Sequence, residues 1–203
     1  MEKNESQAVR IPWILYTLIY KRYVRRLQKK TINPQDIVFL GDSLTRSVNW
    51  QRFFPNVAVH NFGISGDTSF GVLARLHQVT SSGPMKIFLL IGTNELYTYK
   101  NATNKEVLNN TVKIIDVLKT ASPPTKIYVQ SIMPRHKKWG EEIGIFNHVL
   151  KHTVSNYGAE YIDLWPALAD DSGGLKKEFT VDFLHLNNRG KKAWVNHITE
   201  FVL

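Results

Sequence analysis

Two short stretches far apart in the chain hold residue types that together can cleave an acyl bond. Ser43 follows an apolar run in Ile37-Val38-Phe39-Leu40-Gly41-Asp42-Ser43-Leu44-Thr45, and Asp182-Phe183-Leu184-His185 lies near the other end. An apolar strand that ends in a small-residue turn presents a hydroxyl at its C-terminal edge with room around it. A serine hydroxyl is a poor nucleophile until a base receives its proton, and histidine is the side chain suited to that exchange near neutrality. At a spacing of three residues, Asp182 can share one side of a turn with His185, and as a buried carboxylate it can fix the tautomer and stabilise the imidazolium. Each stretch alone also has an ordinary reading, Ser43 as a turn or helix N-cap and the Asp-His pair as a capped loop.

The arrangement recurs at two further predicted strand exits, Asn61-Phe62-Gly63-Ile64-Ser65-Gly66 and Gly92-Thr93-Asn94-Glu95. There Gly63 and Asn94, with the Ser43 amide, can add donors around a developing negative oxygen. Backbone donors are held in place and need not reorganise, and an Asn amide donates without competing as a base. Gly63 and Gly66 fit a tight turn equally well, and Asn94 a cap. Asn61 is placed to brace its loop. Glu95 reads as a solvent-facing carboxylate from the usual exposure of Glu.

The four blocks, Gly41-Asp42-Ser43-Leu44, Asn61 through Gly66, Gly92 through Glu95, and Asp182-Phe183-Leu184-His185-Leu186-Asn187, resemble those of the SGNH hydrolases, also called GDSL esterases and lipases. The resemblance spans nearly the whole chain. It implies a serine esterase or acylhydrolase with Ser43 as nucleophile, His185 as base, Asp182 as its partner, and Ser43, Gly63 and Asn94 around the oxyanion. Two positions depart from the pattern: Glu95, where many relatives have Asp, and Leu186, where Pro is common. Neither replaces a nucleophile, donor or base. The implied route runs through an acyl-enzyme without a cofactor or metal, and the remaining histidines form no metal-ligand motif.

Strands that must position these blocks are predicted at residues 37–40, 57–62, 86–91, 127–131 and 160–164. Helical recurrences fall at 69–80, 104–119, 141–157 and 189–201, lengths suited to covering a parallel sheet. The predicted fold is α/β, a single three-layer α/β/α sandwich with a mostly parallel, about five-stranded central sheet, flavodoxin-like in layout. Residues 33–203 form the catalytic domain and residues 1–32 a basic amphipathic helical extension. In that extension Pro12 opens a helix reaching about residue 29, with Trp13, Tyr16, Tyr20, Tyr23 and Leu27 on one side and Arg22, Arg25, Arg26, Lys29 and Lys30 on the other. It is expected to serve as a structural cover for the catalytic body.

Composition bounds the partners. The net charge of +9 is mostly local, since residues 1–30 hold eight Lys or Arg against two Glu, leaving +3 elsewhere. Such a patch attracts anionic surfaces such as lipid. Nucleic acid is not expected, because no basic-aromatic platform accompanies the charge. No run of about 18 apolar residues is present and no signal-peptide pattern precedes the body, so the expected setting is the cytoplasm, with peripheral membrane association allowed. The absence of cysteine excludes disulfides and thiolate chemistry.

Trp50, Phe54, Phe70, Tyr97, Trp139 and Phe183 fall in or near predicted loops and are candidate pocket or rim residues. With little room for a lid domain, the expected substrate is a small acyl ester, or an acylated glycan or lipid, losing a short group such as acetyl. A lysophospholipase or short-chain thioesterase is the alternative within the same chemistry. An inactive glycan- or membrane-binding module is the alternative outside it. A homo-oligomer is compatible with the sequence.

Overall fold

The computed structural model describes residues 13–203, apart from the side chains of residues 13–16 and Gln78. Pro12 and the side chains of Trp13 and Tyr16, assigned above to the N-terminal helix, therefore lie outside the described residues. The chain divides into two compact units, residues 1–30 and 31–203. The described part of the first is α1 (Trp13–Gln28), with Arg25 and Arg26 in its last turn, where cations complement the helix dipole.

The second unit runs β1 (Ile37–Gly41), α2 (Ser43–Arg46), α3 (Trp50–Phe53), β2 (Val59–Gly63), α4 (Ser69–Ala74), α5 (His77–Thr80) and β3 (Lys86–Leu90). A π-helical turn (Asn94–Thr98), α6 (Asn104–Ala121), β4 (Lys126–Gln130), a 3-10 turn (Lys137–Trp139) and α7 (Gly140–Asn156) follow. β5 (Glu160–Ile162), α8 (Trp165–Leu168), a second 3-10 turn (Lys177–Phe179) and α9 (Asn188–Val202) complete it. The five strands form one sheet in the order β2-β1-β3-β4-β5, every pairing parallel. Helices flank this sheet as an α/β/α sandwich. The chain reverses direction across the sheet between β1 and β3, which opens a crevice at the C-terminal ends of those two strands.

Both sheet faces are buried, so β1 reads as a continuous apolar run rather than an alternating one. Phe39, Phe88 and Tyr128 stand in register on adjacent strands and stack with centroids 4.8 Å apart at each step. Trp50 lies flat on Phe39 at 3.6 Å and meets Trp194 of α9 edge-on at 4.9 Å. Trp50 and Phe54 are therefore core residues and not pocket walls; the indole N–H of Trp50 is satisfied by the Thr45 carbonyl at 3.1 Å. The opposite layer joins α4 and α5 to α6 and α6 to α7. α6 begins with a reciprocal cap in which Glu106 accepts from the Thr103 amide at 2.7 Å and Thr103 Oγ1 accepts from the Glu106 amide at 3.3 Å.

The helix expected over 69–80 is two short helices separated at Arg75. Arg75 is almost fully buried. Its guanidinium pairs with Asp67 at 2.8 Å and donates to the Gly41 and Phe62 carbonyls at 3.2 and 2.9 Å. The side chain thus satisfies carbonyls at the ends of β1 and β2 and ties α4 to the floor of the crevice.

Candidate active site

Ser43 is the first residue of α2, immediately beyond β1. Asp42 caps that helix, its Oδ1 accepting from the Leu44 amide at 2.8 Å. The turn is tight because a Cβ on Gly41 would overlap the Leu90 carbonyl of β3. Asp42 is fully buried. Burial raises its carboxyl, the Leu44 amide pulls the other way, and the nearby Asp67 and Glu95 charges add to the rise, leaving it at about 7.

Asn61, on β2, braces this turn from the side. Its Nδ2 reaches the Thr45, Arg46 and Val48 carbonyls at 3.0, 3.2 and 3.0 Å, collecting acceptors that the end of α2 leaves open. Its Oδ1 accepts from the Gly63 amide at 2.9 Å. That bond corrects the expectation for Gly63, because the amide assigned to the oxyanion is engaged within the protein. Gly63 is a glycine for another reason: a Cβ there would overlap the Arg46 backbone of α2. Gly66 is the loop residue with the left-handed backbone, at φ +75°. It precedes Asp67, whose carbonyl accepts from Asn94 Nδ2 at 2.9 Å.

Asn94 is buried at the exit from β3. One Nδ2 hydrogen is committed to Asp67, and the second is available to a ligand. Glu95, expected to face solvent, is instead fully buried, with Oε1 accepting from the Ser69 amide at 2.7 Å. Burial raises its carboxyl above the usual range despite the hydrogen bonds from Ser69. It holds the start of α4 against the Asn94 turn.

The fourth block approaches from the loop before α9. Ser43 Oγ and His185 Nε2 are 3.2 Å apart, and His185 Nδ1 is 2.7 Å from Asp182 Oδ2. Asp182 Oδ1 accepts from the Leu184 and His185 amides at 3.0 and 2.7 Å. Partial burial pushes the Asp182 carboxyl up, but its bonds from the His185 ring and the two amides outweigh that and hold it below the ordinary value. The pair is half-exposed, His185 at 47% and Asp182 at 46%, so the carboxylate is not the buried one expected. Phe183 adopts φ +56°, which folds the loop tightly enough for one carboxylate to hold both amides and the ring. Thr180, missed in the sequence, donates to the His185 carbonyl at 2.8 Å and accepts from the Asp182 amide at 3.2 Å.

A hydroxyl, an imidazole and a carboxylate in sequential contact at the crevice is the geometry of acyl transfer. The profile of the GDSL-like Lipase/Acylhydrolase family matches residues 39–193, well over half of the sequence. The chain belongs to this family. Platelet-activating factor acetylhydrolase IB subunit alpha2 of Rattus norvegicus is 28% identical over 178 residues, covering 83% of this chain and 76% of the relative. Its Gallus gallus counterpart is 29% identical over 161 residues, covering 74% and 69%. A solved structure from Streptococcus pneumonia, assigned provisionally as a platelet activating factor, superposes with a TM-score of 0.82 at 29% identity over 92% of both chains. A GDSL-like lipase from Bacteroides thetaiotaomicron shares the fold with a TM-score of 0.74 at 19% identity, covering 90% of this chain and 96% of its own. This GDSL-like hydrolase is accordingly a serine-type ester-hydrolysing enzyme.

The other rim candidates separate by position. Tyr97 is buried and meets Trp139 at 5.7 Å, whereas Phe183 meets His136 edge-on at 5.3 Å. Phe70 stands half-exposed at the start of α4. Arg135, beyond β4, was not singled out from the sequence because a lone arginine after a strand carries no spacing signal. Among the described residues no group of three or more His, Cys, Asp and Glu side chains is arranged to hold a metal, and no helix is long and apolar enough to cross a membrane.

Proposed function

We propose that this GDSL-like hydrolase cleaves short-chain carboxylic esters with Ser43 as nucleophile, His185 as general base and Asp182 as the residue that orients and stabilises the imidazole. The observation that carries this reading is the continuous contact from Ser43 Oγ through His185 to Asp182, at 3.2 and 2.7 Å. With Nδ1–H donating to Asp182, Nε2 is left to accept the Ser43 proton as Oγ attacks the carbonyl carbon. Negative charge then gathers on the carbonyl oxygen. The Ser43 amide, at the first turn of α2 and without an intrahelical acceptor, and the second Asn94 Nδ2 hydrogen are the proposed donors. Collapse passes the proton from His185 to the leaving alcohol. His185 next activates water, which attacks the acyl carbon and returns Ser43.

The relatives' names support acetyl as the acyl group, since those proteins are acetylhydrolases. Acetyl, butanoyl and octanoyl esters of one alcohol, with the matching acetyl thioester, test that choice. The acetyl ester should have the highest kcat/KM; a rate rising with chain length would favour a lysophospholipase, and a preference for the thioester a thioesterase. An organophosphorus ester should label Ser43 covalently, and a folded Ser43→Ala variant that still turns over at the parent rate would exclude this nucleophile.

A further inference from the structure

Around the mouth of the site lies a set of cations that acyl transfer itself does not use. Arg135 is anchored through its backbone, its carbonyl accepting from the Leu175 amide at 2.7 Å. Its Nη1 donates to the Thr93 carbonyl, Thr93 Oγ1 and Thr98 Oγ1 at 3.3, 3.3 and 3.0 Å. These bonds hold the guanidinium beside the Asn94 turn and leave Nε and Nη2 with no hydrogen bond among the described residues. Its charge acts on Asp182 and Asp42, the neighbours of base and nucleophile, yet it forms an ion pair with neither. Asp182 is committed to His185, and Asp42 is turned into the interior.

Two lysines extend the pattern. Lys100 Nζ lies 4.5 Å from the Trp139 ring centroid and Lys138 Nζ 5.1 Å from the same ring. Trp139 in turn packs on Tyr97, one turn beyond Asn94, so both ammonium groups are held near the site by the ring between them. Lys100 accepts a left-handed backbone, φ +54°, at that position. The acid facing this cluster from α7 is Glu142, which acts on Tyr97. Against it, and against Asp182 and the buried Asp42 that act on Arg135, stand the three cations Arg135, Lys100 and Lys138.

We propose that Arg135, with Lys100 and Lys138 over Trp139, forms a subsite for a carboxylate or phosphate on the alcohol portion of the ester, so that the enzyme selects acyl esters of anionic alcohols. The proposal rests on the Ser43 hydrolase reading. An acetyl group has no atom to carry such a charge, which puts the anion on the alcohol. A planar guanidinium with unengaged donors matches the two oxygens of either group, and the lysines add point charges that raise the local concentration of an anionic ester.

Three acetyl esters of one ring test this: neutral 4-acetoxybenzamide, 4-acetoxybenzoate and 4-acetoxyphenyl phosphate, each rate divided by its uncatalysed hydroxide-driven rate. At low salt at least one anionic ester should exceed the neutral one in kcat/KM by about tenfold or more, the scale of a charge-assisted hydrogen-bonded pair, and the ratio should shrink as salt rises. A preference for the phosphate or for the carboxylate alone identifies the source of the anion. Arg135→Gln should bring the ratio close to one and Arg135→Lys should give an intermediate value. Because Arg135 also braces Thr93, the double variant Lys100→Gln with Lys138→Gln serves as an independent probe and should lower the ratio with Arg135 intact. Equal corrected rates for all three esters, or a ratio unmoved by both sets of variants, would overturn the subsite while leaving the hydrolase intact. Failure to hydrolyse any of them, with no labelling at Ser43, would instead remove the hydrolase reading on which it rests.

Discussion

The Ser43 turn and the loop of residues 182–185 meet across 3.2 Å, yet they are held by different means. Ser43 is fixed by long-range packing: β1 is wholly buried, Asn61 clasps the end of α2 from β2, and Arg75 reaches in from beyond α4. His185 is fixed almost entirely by bonds within its own loop, through Asp182, Thr180 and a left-handed Phe183, while remaining half-exposed. The proposed nucleophile is thus part of the fold, and the proposed base is mounted on it by a small local device. Substitutions on the first side should disturb stability along with rate. On the second side they should disturb rate alone.

The largest test of that contrast lies on the base. His185→Ala should lower kcat by roughly 10⁶ with an unchanged near-ultraviolet spectrum, and Asp182→Asn by roughly 10⁴ or less, since Asn can still accept hydrogen bonds. Thr180→Val, which removes the hydroxyl's bonds to the His185 carbonyl, the Asp182 amide and Asp182 Oδ1 without touching the ring, should cost roughly 10- to 100-fold through misplacement of the imidazole. If these variants lower the melting temperature as much as the rate, the loop is not the independent mount described here. A His185→Ala enzyme near the native rate would remove its assigned role altogether.

Asn94→Ala comes next: its Nδ2 ties the β3 exit to Asp67, and its second hydrogen is the proposed oxyanion donor. Losing one good oxyanion donor should cost about 10² to 10³ in turnover, with little change in substrate binding. Single-turnover kinetics separate acylation from binding, and an unaltered acylation rate would count against the donor.

What could be read from the sequence follows the same division. Strands and the four blocks were legible because buried parallel strands are apolar runs and each block is local. Individual destinations were not. Glu95 looks exposed by residue type, and only the Ser69 amide, 26 positions away, shows why it is inside. Trp50 looks like a loop aromatic until Phe39 and Trp194 are brought against it. Gly63 carries the right residue type for an oxyanion turn, but its amide is taken by Asn61, a bond that the chain's order alone does not reveal. The break at Arg75 depends on an ion pair with Asp67 beneath two strand ends. Those four misses lie on the side held by long-range contacts; in the local loop Thr180 was missed, while the Asp182–His185 pairing, three residues apart, was visible.

Asp42 sharpens the comparison in pH. Its carboxyl rises from 3.8 in the ordinary case to about 7 in the fold, so between those values the folded protein keeps a proton that the unfolded chain has released. Stability contributed at this site is therefore lost as pH climbs through that window, the reverse of the usual carboxylate. Asp42→Asn keeps an oxygen for the Leu44 amide and has no charge to bury. Its unfolding free energy relative to the parent should rise from pH 4 to pH 8 by up to about 4 kcal/mol, about three pH units of linkage. Taking the difference between two proteins cancels the opposite trend from Asp182, whose carboxyl is held low. A pH-independent difference would mean that Asp42 is ionised in the fold without penalty.

The smallest effect on chemistry should come from deleting residues 1–30, because every group assigned to the reaction lies in the unit of residues 31–203. Turnover of a small neutral ester by the folded truncated protein should match that of the full chain. Two other readouts should move. The deletion removes a net +6 of the total +9, so any attraction to anionic liposomes should fall, most clearly at low salt where surface charges are least screened. The aromatic and leucine positions along α1 recur at helical spacing, and a helix acting as a structural cover should also lower the melting temperature when removed, even without lipid. Thermal unfolding and size distribution in detergent-free buffer, paired with liposome sedimentation at two salt concentrations, distinguish these roles. Unchanged unfolding with lost liposome binding would make α1 a membrane-surface element, whereas lost stability with unchanged liposome binding would leave the cover role and remove the surface one. A fall in neutral-ester turnover by a fully folded truncated protein would show that the catalytic unit is not self-sufficient, and the division between a body that does chemistry and an extension that does not would fail.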